Sequence, residues 1–184
     1  MSNGARTLVI RSAGVLILLL AFGSALLPLA SHIPARTVTG LLLIAAGAIE
    51  LAAVFARRGH HVSAGVAAAA SVLAGLRLAL DSDANLPTIV NFVILWLVIR
   101  SAALLVSSRH SIRPLCTWVY LAAAVDFALA VLLLAGLPVA VLTYGLFGAT
   151  DEVVATFAWV FAGSFVASGL LLIAAAPLEA SEAE

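Results

Sequence analysis

The sequence predicts an all-α integral membrane protein, with six transmembrane helices arranged as three tandem helical hairpins. Composition, run length and an internal repeat predict it. Apolar residues make up 64% of the 184-residue chain and charged residues 10%, and the mean hydropathy is +1.21. A soluble domain carries about 45–50% apolar and about 25% charged residues, so this chain has too few polar groups to cover a water-facing surface. A helix needs roughly 20 apolar residues to cross a hydrocarbon core about 30 Å thick. Six runs meet that need: Leu8–Ala30, Thr37–Ala56, Val62–Leu80, Leu86–Val106, Leu115–Leu137 and Glu152–Ala176.

The first run follows Arg6 and Arg11 and ends in small residues near Ala30, a pattern shared with cleavable signal sequences. Its opening SAGV (Ser12–Val15) recurs as SAGV (Ser63–Val66) at the start of the third run. That recurrence makes the first run part of the repeat and argues for its retention. The second run begins after Pro34 and ends at Arg57–Arg58. Its GAIELAAVFA (Gly47–Ala56) aligns with LVIRSAALLV (Leu97–Val106) of the fourth run, 50 residues on. A repeat of about 50 residues, each a two-helix unit, follows. The hairpins run over about 8–56, 62–106 and 115–176, within a single membrane domain spanning 1–184.

Pro87 and Pro114 mark the starts of the fourth and fifth runs, and Pro138 and Pro177 the ends of the fifth and sixth. The stretch Pro138–Gly148 is apolar but rich in turn-compatible residues and reads as interfacial or re-entrant. Residues 177–184 read as a flexible acidic tail. All nine basic residues are arginines. Six of them (Arg6, Arg11, Arg57, Arg58, Arg109 and Arg113) fall on one side of the six-run topology, against Arg36 on the other, which places both termini in the cytoplasm.

Five ionisable residues fall inside or near the apolar runs: Arg11, Glu50, Arg77, Arg100 and Asp126. Such groups are costly in a bilayer and usually face protein or water. At about 1.5 Å per residue, Glu50 and Arg100 lie roughly 10–12 Å from the cytoplasmic ends of their helices, and Asp126 roughly 16–18 Å. Ala46, Gly47 and Ala53 flank Glu50 on its face, and Ala122, Ala123 and Ala130 flank Asp126, so both carboxylates are expected to point into the bundle. Trp96 lies one turn before Arg100, within reach of a guanidinium–indole stack. Glu50 and Arg100 also hold equivalent repeat positions. A buried Glu50–Arg100–Asp126 cluster is the expectation, with three roles open to it: an ion-paired packing element, a proton-responsive or solute-lining site, or snorkelling side chains. Arg77 and Asp81, four residues apart, form a secondary charged pair.

The remaining signals are weaker. His32, His60, His61 and His110 fall in loops, where an imidazole near its ordinary titration range makes a pH sensor conceivable; ordinary loop histidines are the simpler reading. Cys116 stands alone, which excludes an internal disulfide framework and a multi-cysteine metal site. The Gly163-x-x-x-Ala167 and Ser164-x-x-x-Ser168 spacings permit close helix contact within the bundle or between subunits. No nucleophile elbow, metalloprotease helix or phosphate-binding glycine loop is present. No cofactor, metal site or enzymatic activity is expected, and a net charge of zero gives no reason to expect nucleic acid.

The second helix reads GLLLIAAGAIELAAVFARR (Gly40–Arg58), the fourth ends LLVSSR, and the sixth contains GSFVASGLLLIAAA. In these even-numbered helices the chain resembles the HdeD-like acid-resistance membrane proteins, built from three short two-helix repeats. The resemblance covers nearly the whole chain. It implies a non-enzymatic inner-membrane protein active in acid or envelope stress, with no catalytic residues to carry over. The short SHIPAR loop and the apolar stretch around Tyr144 depart from the pattern. Two other classes stay open: a proton or small-solute transporter or channel, and an accessory subunit of a larger membrane complex. The partners these readings imply are the lipid bilayer and a second copy or another membrane protein.

Overall fold

A computed structural model of the chain describes residues 3–26, 35–57, 62–80, 86–109, 115–147 and 151–181. They form six helices: α1 (Asn3–Leu26), α2 (Ala35–Ala56), α3 (Val62–Leu80), α4 (Leu86–Ser108), α5 (Leu115–Phe147) and α6 (Asp151–Ser181). Each contains a stretch long and apolar enough to cross a membrane. The chain is an all-α, multi-pass membrane protein.

The ends follow the sequence closely for α2, α3 and α4, whereas α1 begins at Asn3, five residues before the expected Leu8, and α5 and α6 run past their expected ends. α5 runs on through Pro138 to Phe147, so the stretch expected to be interfacial or re-entrant continues the helix instead. α6 likewise continues past Pro177 to Ser181, which makes the first part of the expected flexible tail helical. A proline blocks one backbone hydrogen bond and crowds the preceding turn. Here it stops neither helix. At 33 and 31 residues, α5 and α6 exceed what a bilayer core requires.

Chain neighbours pack against one another in sequence, and α6 packs against α1, so the six helices close into a ring. The expected hairpin partners α1–α2, α3–α4 and α5–α6 do touch. Each helix nevertheless makes its most extensive contact with its other neighbour: α2 with α3, α4 with α5, and α6 with α1. The close pairs are therefore formed between the expected hairpins, and in the case of α1 and α6 between the two ends of the chain.

Glycines explain two of these three pairings. A Cβ on Gly40 would lie 2.8 Å from the Gly75 carbonyl oxygen, and one on Gly75 would lie 2.6 Å from that of Gly40. Seven residues further along α2, a Cβ on Gly47 would meet the Ala68 oxygen at 2.8 Å. Gly14 and Gly169 make the same backbone-to-backbone approach between α1 and α6. Without a driving force from water, membrane helices associate through such close packing. Gly163, by contrast, faces Leu129 at an ordinary 3.5 Å, so Gly169 rather than Gly163 carries the close contact of α6.

The ring encloses a core of Ile10, Ile17, Leu43, Leu78, Val93, Leu97, Phe161 and Phe165, with Trp96 among them. Large apolar side chains such as Phe22, Phe55 and Leu73 project outward, where lipid is an adequate solvent for them. Trp118, near the start of α5, is partly exposed as an interfacial anchor would be.

Candidate functional site: a buried guanidinium shared by two carboxylates

Arg100 is the hub of the bundle interior. It lies in the second half of α4, and its guanidinium reaches side chains on four other helices. One Nη donates to Glu50 Oε1 on α2 and to Ser168 Oγ on α6. The other lies 3.4 Å from Ser71 Oγ on α3. Nε lies 2.9 Å from Asp126 Oδ2 on α5, an ion-pair contact whose N–H direction is out of line for a hydrogen bond. The structure thus brings Glu50, Arg100 and Asp126 into one cluster.

Helix geometry explains how the cluster is reached. Glu50 is two turns from the end of α2, Arg100 about two turns from the end of α4, and Asp126 three turns into α5. α2 and α4 end at the same end of the bundle where α5 begins, so the three depths overlap. Small residues next to the carboxylates, Ala46 and Ala53 on α2 and Ala122, Ala123 and Ala130 on α5, are themselves buried. They let the helices approach closely enough to seal the charges from lipid.

Serines complete the set. Ser164 donates to Asp126 Oδ1 at 2.6 Å, and Ser168, one turn later, donates to the Ser164 carbonyl while accepting from Arg100. Ser71 donates to the Ala67 carbonyl and accepts from the Trp96 indole N–H at 2.8 Å. The Trp96 ring lies 5.6 Å from the guanidinium carbon, as the one-turn spacing implied. Trp96, one turn before Arg100, and Phe161, two turns before Ser168, pack with ring centres 5.8 Å apart on the side of the cluster away from the ends of α2 and α4. Phe165, between Ser164 and Ser168, continues the ring contacts at the level of the cluster. Sequence spacing pointed to Ser164 and Ser168 as close-packing residues; they act as hydrogen-bonding partners. Ser71 carried only one signal, a polar residue on the face of α3 that also presents Ala67 and Ala68.

A cavity of about 50 Å³ adjoins the cluster. Glu50, Arg100 and Ser168 line its inner end, and Arg57, Ala64 and Ser107 line it toward the end of the bundle where α2 and α4 finish. The volume has room for a few water molecules, and Glu50, Arg57, Arg100, Ser107 and Ser168 are the polar members of an otherwise apolar lining. Asp126 does not line it. The Glu50 side chain is 11% exposed against 1% for Asp126, so the two carboxylates sit in different surroundings.

The other charged positions divide differently. Asp81, the expected partner of Arg77, lies outside the described residues, as do Asp83 and all four histidines. Arg77 sits with its guanidinium carbon 5.7 Å from the Phe92 ring centre, a contact the sequence did not suggest. Arg11 is exposed on α1, apart from the cluster. Cys116 is partly buried near the start of α5. Among the described residues, no group of three metal-ligating side chains converges.

No family model, curated protein or solved structure matches this chain. The HdeD-like resemblance rests on the residues quoted for it.

Proposed function

We propose that this chain is a non-enzymatic inner-membrane protein of the HdeD-like kind, acting in acid or envelope stress, with the Glu50–Arg100–Asp126 cluster as its acid-responsive element. One observation carries the reading: two buried carboxylates share one guanidinium, and a cavity leads to one of them. With both carboxylates ionised the cluster carries one net negative charge inside the membrane domain. Gaining one proton makes it neutral, at the cost of one ion pair that helps join α2 to α4. Acidification therefore changes both the charge of the interior and the connection between helices, without any catalytic step.

The arginine distribution supports an orientation with both termini in the cytoplasm. In that orientation the cavity opens toward the cytoplasm, and the cluster responds to the pH there. A small-solute transporter is the less favoured reading, because the Trp96–Phe161 ring pair lies beyond the cluster. The test is survival at low pH of cells lacking the gene. Reduced survival, restored by the wild-type chain and not by Glu50→Gln, is expected; survival equal to the parent strain would overturn the acid-stress reading.

A further inference from the structure

We infer that Glu50 is a one-sided proton-binding site, loaded through the water-sized cavity at the end of the bundle where α2 and α4 finish. The inference deepens the acid-response reading and rests on it for its physiological meaning, not for its chemistry.

The asymmetry comes from the surroundings of the two carboxylates. Asp126 is enclosed: Ser164 donates to one oxygen, the Arg100 Nε faces the other, and it does not line the cavity that Glu50 lines. Glu50 makes its ion pair with the terminal nitrogen of the same guanidinium and also lines the cavity. A proton arriving with water meets Glu50 first. It leaves the Asp126 contacts in place when it binds.

Charged groups around Glu50 are few, which keeps the exchange local. Arg100 on α4 contacts it, and Asp126 on α5 shares that guanidinium. Arg57, two turns further along on the chain after α2, lines the same cavity. α3 contributes only Arg77, toward its opposite end, and the described side chains of α6 contribute none. α1 carries Arg6 and Arg11 near its start, with Arg11 exposed; the α1 residues that reach the core are Ile10, Ala13 and Ile17.

Access is one-sided because the two directions out of the cluster differ. Toward the ends of α2 and α4 the walls include Arg57, Ala64 and Ser107. In the opposite direction lie Trp96 and Phe161, with Leu43 and Val93 buried in the same core. The step is a simple protonation: the proton from water adds to a Glu50 carboxylate oxygen, and the Arg100–Glu50 ion pair becomes a hydrogen bond between a cation and a neutral acid.

Two measurements test it. In pH-difference infrared spectra of the purified full chain, acidification should produce one protonated-carboxyl band assignable to the membrane domain, present in the wild type and lost in Glu50→Gln. A band that persists undiminished in a folded Glu50→Gln variant overturns the assignment. Independently of that variant's folding, Ser107→Cys and Ala64→Cys, each in a Cys116→Ala background, should react with a small charged thiol reagent from the α2–α3 side only, in right-side-out and inverted vesicles. Reaction from both sides, or from neither, overturns the one-sided cavity. A band and one-sided labelling combined with normal acid survival of the deletion strain would remove the stress function and leave the proton site standing. An acid-sensitive deletion strain without the band would do the reverse.

Discussion

Glu50 and Arg100 pair at the centre of the bundle, although the helices that carry them, α2 and α4, are not among its closely packed neighbours. The length of the arginine side chain spans the gap between them. The same guanidinium faces α3, α5 and α6, so one residue on α4 contacts side chains from four of the other five helices. Removing it affects the ring as a whole rather than a single helix pair.

Arg100→Leu is therefore expected to leave Glu50 and Asp126 as two adjacent carboxylates with no cation between them. Breaking a buried pair by removing one partner costs about 3–5 kcal/mol, whereas replacing all the charged members with apolar residues is often near neutral. The single variant should lose its folded, monodisperse form at a lower temperature in detergent. The triple variant Glu50→Leu, Arg100→Met, Asp126→Leu should recover most of that loss. Equal stability of wild type and Arg100→Leu would show that the cluster does not hold the helices.

Arg100→Lys separates charge from geometry. Lysine keeps the positive charge but offers a compact ammonium in place of a planar fork. It cannot face Glu50, Ser168, Ser71 and Asp126 at once. Stability midway between wild type and Arg100→Leu is the expected outcome, read from the same thermal unfolding measurement. A wild-type midpoint for Arg100→Lys would mean that charge alone suffices.

Much of this architecture was legible in the sequence. The apolar runs placed all six helices, since composition alone decides whether a segment can lie in lipid. The cluster was legible too, because Glu50, Arg100 and Asp126 are isolated charges in apolar runs and their depths follow from counting residues. The pairing of helices was not. α4, α5 and α6 are apolar on every side, so hydrophobic periodicity does not distinguish a lipid-facing side from a partner-facing one. The SAGV repeat suggested hairpins, yet Gly14 meets Gly169 on α6 while Gly65 meets only Val54, at 3.8 Å, on α2. The serine partners were hidden for a related reason: in a membrane helix, serine suits both close packing and hydrogen bonding, and spacing does not separate the two.

Ser164→Ala tests one of those partners. The hydroxyl donates to Asp126 Oδ1 at 2.6 Å within the bundle interior. Deleting it leaves that oxygen without its donor and creates little space. Hydrogen bonds between membrane helices are worth about 0.6–2 kcal/mol, so a moderate loss of stability is expected, smaller than for Arg100→Leu. The loss should disappear when Asp126 is replaced by Leu, because the orphaned acceptor is then gone. A double-variant cycle that shows full additivity would deny the coupling.

Gly75→Ala tests the α2–α3 contact by itself. A Cβ at this position would lie 2.6 Å from the Gly40 carbonyl oxygen and 2.7 Å from the Ile44 nitrogen, both backbone atoms that cannot rotate away. α3 must then move outward along its length, which also loosens the Gly47–Ala68 approach seven residues away. Overpacking of this kind typically costs about 1–3 kcal/mol. Gly136→Ala, with no heavy atom within 4 Å of its Cβ position, is the matched control and should match the wild type or gain slightly from a better helix residue. Cysteine cross-linking adds a direct reading of the spacing: a pair at Ala68 and Gly47 would itself disturb the contact, so Val54→Cys with Gly65→Cys, 3.8 Å apart at the Val54 Cγ1, serves instead. Cross-linking of that pair, on a Cys116→Ala background, should fall when Gly75→Ala is added and stay unchanged with Gly136→Ala. If both glycine variants cross-link and unfold like the wild type, close backbone contact is not what joins α2 to α3.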